Sequence, residues 1–317
     1  MKKLLITRPV AEPVLEQARA AFDVTLGHEP LSEDDCAAAL AAYDAILPTI
    51  GDSFTAAAFE AAGRNPRCGI LGNFGVGYSH IDADAAARHG VIVTNTPDVL
   101  TDATADIGMA LVLATARRAG EGERLVRAGR WGGFGPRVGL GTHVTGKTLG
   151  IIGMGRIGQA VARRGHFGFA MPVIFYNRSR KAVDFPARQV EALHDLMREA
   201  DFVVITVPGG AANARLVDRA ALAAMKPEGI LVNIARGEVV DEAALIEALE
   251  AGRIAGAGLD VYEHEPHVPE RLRALENCVL LPHLGSATVE TRQAMAQMAL
   301  DNILAFTGGR PPPQRVN

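Results

Sequence analysis

The sequence predicts an α/β protein built from two domains, each with a doubly wound parallel sheet. Two observations lead to this prediction. Short apolar runs alternate with helical patterns along most of the chain, and the alternation restarts after a glycine-rich turn near the middle. Strands that alternate with helices form βα units, in which successive strands lie parallel. At 317 residues the chain is also long enough for two domains with sizeable cores.

The first series of elements precedes a long apolar helix. It begins with a strand from Lys3 to Thr7 and a helical pattern from Glu12 to Ala21. Further apolar runs predict strands at Val24 to Leu26, Ala45 to Leu47, Gly69 to Leu71 and Val91 to Val93. This order of elements indicates a parallel sheet.

The long helix is predicted from Ala103 to Ala119 and separates the two series of strands. A helix this rich in Ala and Leu is buried on several sides, so we expect it to link two domains or two subunits. Arg117 and Arg118 would end it favourably at its negative dipole end. A loop from Arg130 to Pro136 follows.

The second series begins with the apolar run before the glycine-rich turn. The strands predicted after that turn are Val173 to Tyr176, Phe202 to Val207, Ile230 to Ile234, Ala255 to Val261 and Val279 to Leu281. Helical patterns from Leu193 to Ala200 and from Glu242 to Ala251 lie between them, which again predicts a doubly wound sheet. A last helix is predicted from Ser286 to Phe306, and the proline-rich tail after it predicts an extended surface strap.

Composition and charge exclude several classes of function. The net charge of -4 and the lack of a long basic run argue against nucleic acid and anionic membranes as partners. No apolar stretch approaches the length of a membrane span, and the first apolar run is too short for a signal peptide. Cys36, Cys68 and Cys278 lack metal-type spacing, which predicts free thiols in a reducing compartment and a cytoplasmic protein.

Gly153, Gly155 and Gly158 form a Gly-x-Gly-x-x-Gly turn between an apolar run and a helical segment. The first glycine of such a turn permits a tight bend, the second lets the backbone approach phosphates, and the third lets helix and strand pack closely. Amides at the N-terminus of the following helix would face the phosphate charge. The context on both sides of the turn predicts a site for a dinucleotide pyrophosphate.

The strand after the glycine turn ends at Asn177, where a cofactor with a free ribose 2′-hydroxyl usually meets a carboxylate. Arg178, Ser179 and Arg180 follow directly and could bind a 2′-phosphate, with Lys181 beyond them. We therefore predict a preference for NADP(H). A neutral Asn177 also tolerates NAD(H), and a solvated basic turn is the alternative explanation for the cations.

Arg236, Glu265 and His283 follow later strands and form a candidate reaction centre, because ligands bind outside the carboxyl ends of such strands. Arginine can hold a carboxylate and polarise a neighbouring carbonyl. Histidine can pass a proton near neutral pH, and a hydrogen-bonded glutamate favours its charged form. The set suits reduction of a 2-oxo acid, against the alternative of scattered surface residues. Pro266 interrupts the adjacent histidine-rich stretch, so no metal site is predicted.

Five motifs in order give the chain a resemblance to a known family. They are Asn73 to Tyr78, Gly146 to Gly150, Asn233 to Gly237, Asp260 to Pro266 and Pro282 to Thr288. Over essentially its whole length the chain resembles the D-isomer-specific 2-hydroxyacid dehydrogenases, and among them most closely the NADP-dependent glyoxylate/hydroxypyruvate reductases. The resemblance implies that Arg236, Glu265 and His283 are catalytic, that the product is a D-2-hydroxy acid, and that the enzyme is a homodimer.

The resemblance also implies a division of labour between the two domains. A Rossmann cofactor domain, residues 99–287, would be inserted in a flavodoxin-like substrate domain formed by residues 1–98 and 288–317. The amides of Val76 and Gly77 would receive the substrate carboxylate together with the catalytic arginine. A glycine-rich loop suits this task because it brings backbone N–H groups close to an anion.

Further cofactor contacts are implied by the same resemblance. Asp260 would hold the nicotinamide carboxamide, and the other residues implied are Thr104, Arg156, Ile157, Val207, Pro208, Ile234, Ala235, His283 and Gly285. The chain departs from its relatives at Gly209, where many carry leucine, and at Gly210. We expect this loop to be more flexible than in the relatives.

Other assignments stay open from the sequence. Dinucleotide-sensing proteins share this fold and the same three polar residues, although the chain carries no extra interaction tail. Formate dehydrogenases of this fold have Gln in place of Glu265, and phosphoglycerate dehydrogenases usually have an acid at the position of Asn177. Glyoxylate and hydroxypyruvate fit the resemblance, with a bulkier 2-oxo acid as the alternative. Trp131 either packs against its own chain or, as in relatives, approaches the partner's substrate site.

Overall fold

The computed structural model describes every residue from Met1 to Asn317 and divides into two compact units. The first unit joins Met1–Leu100 to Ala287–Asn317, and the second is Thr101–Ser286. Each unit contains one parallel sheet with an apolar core on each of its faces. The predicted α/β class with two parallel-sheet domains is confirmed.

The first unit contains a five-stranded sheet with the strand order β2-β1-β3-β4-β5. Its strands are β1 Lys3–Ile6, β2 Asp23–Leu26, β3 Ala45–Leu47, β4 Ile70–Gly72 and β5 Ile92–Thr94. All neighbouring pairs are parallel, and the order is the flavodoxin-like one. Helices cover both faces of such a sheet, which explains why its strands are short continuous apolar runs.

The helices of the first unit begin at well-defined caps. They are α1 Glu12–Ala21, α2 Glu33–Ala42, α3 Ala56–Ala62, α4 Ala83–Arg88 and, after the second unit, α12 Val289–Thr307. Four of them start at a side chain that accepts the amide three residues later, namely Ser32, Thr55, Asp82 and Thr288. A side-chain carbon at Gly72 would lie 2.8 Å from Ile303, so the glycine lets α12 pack closely on β4.

The tail after α12 is exposed from Gly308 to Pro313 except at Pro312, as a surface strap would be, and the residues that follow attach it to the first sheet. Thr94 forms an antiparallel bridge with Arg315, and the Val316 amide donates to the Val93 carbonyl at 2.9 Å. Pro312 is buried. The tail therefore extends the edge of the first sheet beside β5.

The second unit contains a seven-stranded parallel sheet with the order β12-β11-β10-β9-β6-β7-β8. Its strands are β6 Leu149–Ile152, β7 Val173–Tyr176, β8 Arg188–Val190, β9 Phe202–Ile205, β10 Ile230–Asn233, β11 Gly256–Leu259 and β12 Cys278–Leu280. The order reverses at β6, which lies between β7 and β9. In such sheets ligands bind outside the carboxyl ends of the strands at this switch point.

The long helix predicted through Ala119 ends earlier in the structure. The helices of the second unit are α5 Thr101–Ala116, α6 Ala119–Arg127, α7 Arg156–Arg163, α8 Leu193–Glu199, α9 Arg219–Ala223, α10 Glu242–Glu250 and α11 Glu270–Arg273. Arg118 has a φ of 53°, a left-handed conformation that breaks the helix. Its guanidinium pairs with Glu121 of α6 at 2.7 Å instead of ending α5. The apolar face of α5 packs on β10 and β11, as its composition predicted.

The three cysteines are free and buried. Burial raises the pKa of each thiol to about 12, so all three are protonated and unreactive at neutral pH. None of the helices combines the length and the apolar run that a membrane crossing needs.

Candidate active site

The glycine-rich turn joins β6 to α7 at the switch point of the second sheet. Gly153 has a φ of 99°, which favours glycine, and a side-chain carbon at Gly158 would collide with the Gly153 carbonyl oxygen. At Gly155 a side-chain carbon would meet no atom within 4 Å, so the space beside the turn is open. Gly155 also offers no capping side chain to α7, so no side chain of the cap residue competes with an anion at the N-terminus of the helix. The turn therefore fits a pyrophosphate.

Two amide side chains hold the turn after β7. Asn177 Oδ1 accepts the Met154 amide at 3.3 Å, and Asn177 Nδ2 donates to the Ser179 carbonyl at 2.9 Å. Gln189 of β8 donates from Nε2 to the carbonyl oxygens of Asn177 and Ser179, both at 3.1 Å. Its Oε1 accepts the Lys181 amide at 3.1 Å. Gln189 belongs to no sequence motif, yet it fixes the backbone of the whole turn.

A cavity of about 300 Å³ adjoins both turns. It is lined by Gly153, Gly155, Tyr176, Asn177, Arg178, Ser179, Lys181, Thr206, Val207, Pro208, Ala212, Asn213 and Leu216. No carboxylate lies among these residues. Arg180 lines a neighbouring cavity of about 290 Å³, together with Arg178, Gln189 and Glu191. The structure thus brings Lys181, rather than Arg180, to the cavity beside the glycine turn.

The loop after β9 is held more firmly than its two glycines suggested. The Gly210 amide donates to Glu238 Oε1 at 3.1 Å, and Asn213, which is buried, donates to a carbonyl of the same loop at 2.8 Å. A side-chain carbon at Gly209 would collide with Glu238 and lie 2.7 Å from Arg236 Cγ. The expected flexibility relative to the relatives stays a prediction. Gly209 provides the space in which Arg236 and Glu238 lie.

His283 and Glu265 form a hydrogen-bonded pair at the ends of β12 and β11. His283 Nδ1 lies 2.8 Å from Glu265 Oε2, and Glu265 Oε1 accepts the Tyr262 amide at 3.0 Å. Both side chains are 29% exposed, so a ligand can reach them. Burial raises the pKa of Glu265, but the His283 hydrogen bond and charge, the Tyr262 amide and the Arg236 charge together hold it below its ordinary value. The carboxylate is therefore ionised at neutral pH and places a negative charge beside the His283 ring.

Asp260 fixes the backbone of the turn that carries His283. His283 has a φ of 55°, and its amide donates to the Asp260 carbonyl at 2.9 Å. The Asp260 carboxylate accepts the amides of Leu284 at 2.6 Å and Gly285 at 2.8 Å. Thr104 of α5 lies beside Gly285, where a side-chain carbon would be 3.3 Å from the threonine methyl group. The role expected for Asp260 toward nicotinamide stays a prediction.

Arg236 follows two buried residues, Ile234 and Ala235, at the end of β10. Asn233 shapes this turn, because its Oδ1 accepts the Ala235 amide at 3.0 Å and its Nδ2 donates to the Arg236 carbonyl at 2.9 Å. Burial lowers the pKa of Arg236, and nearby carboxylates oppose the effect. Gly237, the next residue, packs against the backbone of Tyr262 and Glu263, beside Glu265, so the three predicted catalytic residues lie near one another in the second unit.

The loop after β4 in the first unit carries the predicted substrate amides. The amides of Val76 and Gly77 donate no hydrogen bond within the chain. The carbonyl groups of the same loop are bound by the side chains of Asn73 and Asn95. Neither asparagine was predicted as functional, although Asn73 begins one of the family motifs. The loop therefore presents two free donors that suit an anion.

Comparison with known proteins identifies the family. Residues 109–285 match the family described as D-isomer specific 2-hydroxyacid dehydrogenase, NAD binding domain. The chain is 46% identical to the glyoxylate reductase of Thermococcus kodakarensis, over 99% of this chain and 96% of the relative. The chain belongs to the D-isomer specific 2-hydroxyacid dehydrogenase family. This dehydrogenase is therefore an NAD(P)-dependent oxidoreductase, as the resemblance implied.

Two further relatives extend the comparison. The glyoxylate reductase of Pyrococcus furiosus is 44% identical to this dehydrogenase, over 99% of this chain and 95% of the relative. An NADPH-dependent glyoxylate/hydroxypyruvate reductase from Sinorhizobium meliloti, solved with NADP and malonate, is 35% identical with a TM-score of 0.88. That match covers 99% of this chain and 96% of the other. The similarity therefore extends over both units of the dehydrogenase.

Proposed function

We propose that this dehydrogenase reduces the small 2-oxo acids glyoxylate and hydroxypyruvate to D-2-hydroxy acids, with NADPH as its preferred cofactor. The observation that carries the proposal is the 2.8 Å pair of His283 and Glu265 beside Arg236, on the sheet that also carries the dinucleotide turn. The relatives named glyoxylate reductase support the choice of substrate.

The proposed mechanism gives each residue one task. The amides of Val76 and Gly77 receive the substrate carboxylate, and Arg236 binds the substrate and stabilises charge on the keto oxygen. Bound nicotinamide supplies the hydride that reduces the keto carbon. With Nδ1 donating to Glu265, His283 uses Nε2 to protonate the developing alkoxide. Glu265 keeps the imidazole in this orientation and places a negative charge beside it.

The proposed NADPH preference follows from the cavity beside the glycine turn. Arg178, Ser179 and Lys181 would bind the 2′-phosphate with charge-assisted hydrogen bonds, and no carboxylate lines the cavity to repel it. Arg180 would act from the neighbouring cavity. The NADP-bound structure of the Sinorhizobium meliloti reductase supports this choice. The other proposed cofactor contacts are Thr104, Gly153, Gly155, Arg156, Ile157, Gly158, Asn177, Val207, Pro208, Ile234, Ala235, Asp260, His283 and Gly285.

The first test follows consumption of NADPH and NADH by the purified protein with glyoxylate, hydroxypyruvate and phenylpyruvate in parallel. We expect the highest kcat/KM with NADPH and the two small acids. Replacing both Arg178 and Lys181 by Ala should raise the KM for NADPH about tenfold or more and leave the KM for NADH unchanged. Equal use of both cofactors by the wild-type protein would contradict the preference. Cofactor binding without any turnover would favour the sensing role.

We also propose that the enzyme is a homodimer in a reducing compartment, the cytoplasm. Helix α6 buries none of its residues, and the segment from α6 to Leu140 exposes large apolar side chains. These are Val126, Trp131, Phe134, Val138 and Leu140, and we call the segment 119–140 the apolar arm. Apolar surface of this kind marks a protein–protein contact. The three buried free thiols suit reducing conditions.

A further inference from the structure

The three carbonyl groups of the loop Gly75–Gly77 are all bound. The Gly75 carbonyl accepts the Thr96 amide and Asn73 Nδ2, each at 3.0 Å. The Val76 carbonyl accepts Asn95 Nδ2 at 3.0 Å, and the Gly77 carbonyl accepts Asn73 Nδ2 at 3.1 Å. Two asparagine side chains therefore bind every carbonyl oxygen in this part of the loop.

This binding fixes the direction of the neighbouring amides. In a trans peptide the carbonyl group of one residue and the N–H group of the next point in opposite directions. A bound Gly75 carbonyl therefore turns the Val76 amide away from Asn73, and a bound Val76 carbonyl turns the Gly77 amide away from Asn95. Both amides are left without a partner in the chain. Without Asn95, the peptide unit from Val76 to Gly77 could rotate and point its carbonyl oxygen where the Gly77 amide now points. The Thr96 amide would still bind the Gly75 carbonyl without Asn73, so Asn73 adds to an existing restraint on the Val76 amide.

Asn73 lowers the stability of the fold in a way that packing alone does not explain. The residue is fully buried, and its Oδ1 has no hydrogen-bond partner. A buried acceptor without a partner destabilises a fold by about 1–3 kcal/mol. Rotating the amide group by half a turn would place Oδ1 against the two loop carbonyls, so the observed orientation is the one that binds the loop. Such exceptions point to a role other than stability.

We propose that Asn73 and Asn95 are positioning residues for recognition of the substrate carboxylate. They hold the carbonyl oxygens of the loop away from the anion and keep the Val76 and Gly77 amides available to it. The proposal rests on the proposed function, because it deepens the role given there to these amides. The backbone amides bind the carboxylate, and the two asparagine side chains act on it only by orienting those amides.

The experiment compares Asn73→Ala, Asn95→Ala and a matched control, Asn317→Ala. Asn317 makes three side-chain hydrogen bonds to backbone of the same unit, at Val93, Ala83 and Val91, and none to the loop. For each variant we would measure kcat and KM for glyoxylate, binding of NADPH, and binding of oxamate to the NADPH-loaded protein. Oxamate is a carboxylate that cannot be reduced, so its binding reports recognition without turnover.

We expect Asn95→Ala and Asn73→Ala to raise the glyoxylate KM and the oxamate dissociation constant about tenfold, the equivalent of one charged hydrogen bond. NADPH binding should stay unchanged, and Asn317→Ala should bind oxamate like the wild type. If Asn95→Ala weakens oxamate binding but the wild type turns over no 2-oxo acid, the inference stands and the proposed reaction does not. Equal oxamate binding in wild type, Asn95→Ala and Asn317→Ala, or none in the wild type, would overturn the inference. Asn95→Ala decides the question if Asn73→Ala does not fold.

Discussion

His283 is held from two directions. Its ring is fixed by Glu265 through Nδ1. Its left-handed backbone is fixed by Asp260, which accepts the amides of His283, Leu284 and Gly285. A residue in this backbone region costs about 1–3 kcal/mol and persists only where its surroundings impose it. The structure therefore commits several buried groups to the orientation of one imidazole. This is the arrangement expected for a proton donor that must meet its substrate in one geometry.

The charge of Glu265 can be tested apart from its hydrogen bond. Glu265→Gln keeps an acceptor for the Nδ1 proton but removes the negative charge beside the ring. The pKa of Glu265 lies below its ordinary value, so in the native enzyme this charge is present throughout the neutral and alkaline range. We expect kcat/KM of the variant to lie below that of the wild type at neutral pH and to approach it at acid pH, where the native carboxylate is itself protonated and its charge is lost.

The matched control for this change is Glu263→Gln. Glu263 lies in the same loop but faces Arg215 at 3.6 Å rather than the histidine, so the pH profile of Glu263→Gln should match that of the wild type. An identical pH profile for Glu265→Gln and the wild type would mean that Glu265 only orients the ring.

His283→Ala should lower kcat about 10²–10⁴-fold with NADPH binding nearly intact.

Among the elements, the turn between β7 and β8 sets the presentation of the basic side chains. Gln189→Leu has a similar volume but removes three hydrogen bonds to the backbone of this turn. The loosened turn should raise the KM for NADPH several-fold and leave the KM for NADH unchanged, since only NADPH carries the 2′-phosphate. Initial rates at saturating glyoxylate would measure both constants.

Gln297→Leu is the control for this element. Gln297 is a half-buried residue of α12 whose side chain bonds only to Gln17 and Asp301 in the first unit. It should leave both constants unchanged. A parallel rise of the NADPH and NADH constants in Gln189→Leu would show a general loss of the cofactor site rather than a role in selecting the phosphate.

The sequence could predict those elements whose physics is local. The glycine turn and the alternation of helices with strands depend on spacing along the chain, and the structure bears them out. Several strand ends differ from those predicted, and β8 and α6 had no predicted counterpart. Glu265 and His283 follow different strands, so spacing along the chain could not show that they pair. Residue chemistry suggested the pairing, and the family resemblance supported it. The contacts of Gln189 and of Gly209 depend on loops that meet only in the folded chain. No pattern in the sequence could have revealed them.

At the scale of the whole molecule, the apolar arm exposes large apolar side chains that no other part of the chain covers. Phe134 is 93% exposed and α6 contributes nothing to the core. We expect the wild-type protein to be dimeric by light scattering and Phe134→Ser to raise the dimer dissociation constant about tenfold or more. The loss would come from apolar surface returned to water at the contact.

The control for the arm is Phe167→Ser. Phe167 is another exposed aromatic residue of the second unit, at 66%, and lies outside the arm. It should not change the mass in solution. A wild-type protein that is monomeric at micromolar concentration, or a Phe134→Ser variant as dimeric as the wild type, would show that the arm is not the dimer contact.

The discontinuity of the first unit has a consequence for biosynthesis. One of its two apolar cores joins Ile70 of β4 to Ile303 of α12, and the tail adds to the edge of the same sheet. A ribosome that adds about 5–20 residues per second makes α12 roughly 10–40 s after β5. During that interval the nascent chain holds a half-covered sheet, and the inserted unit receives its last strand, β12, before α12 is made. The cofactor unit can therefore fold first, and the nascent sheet with its open face is the part of this enzyme that a chaperone would meet.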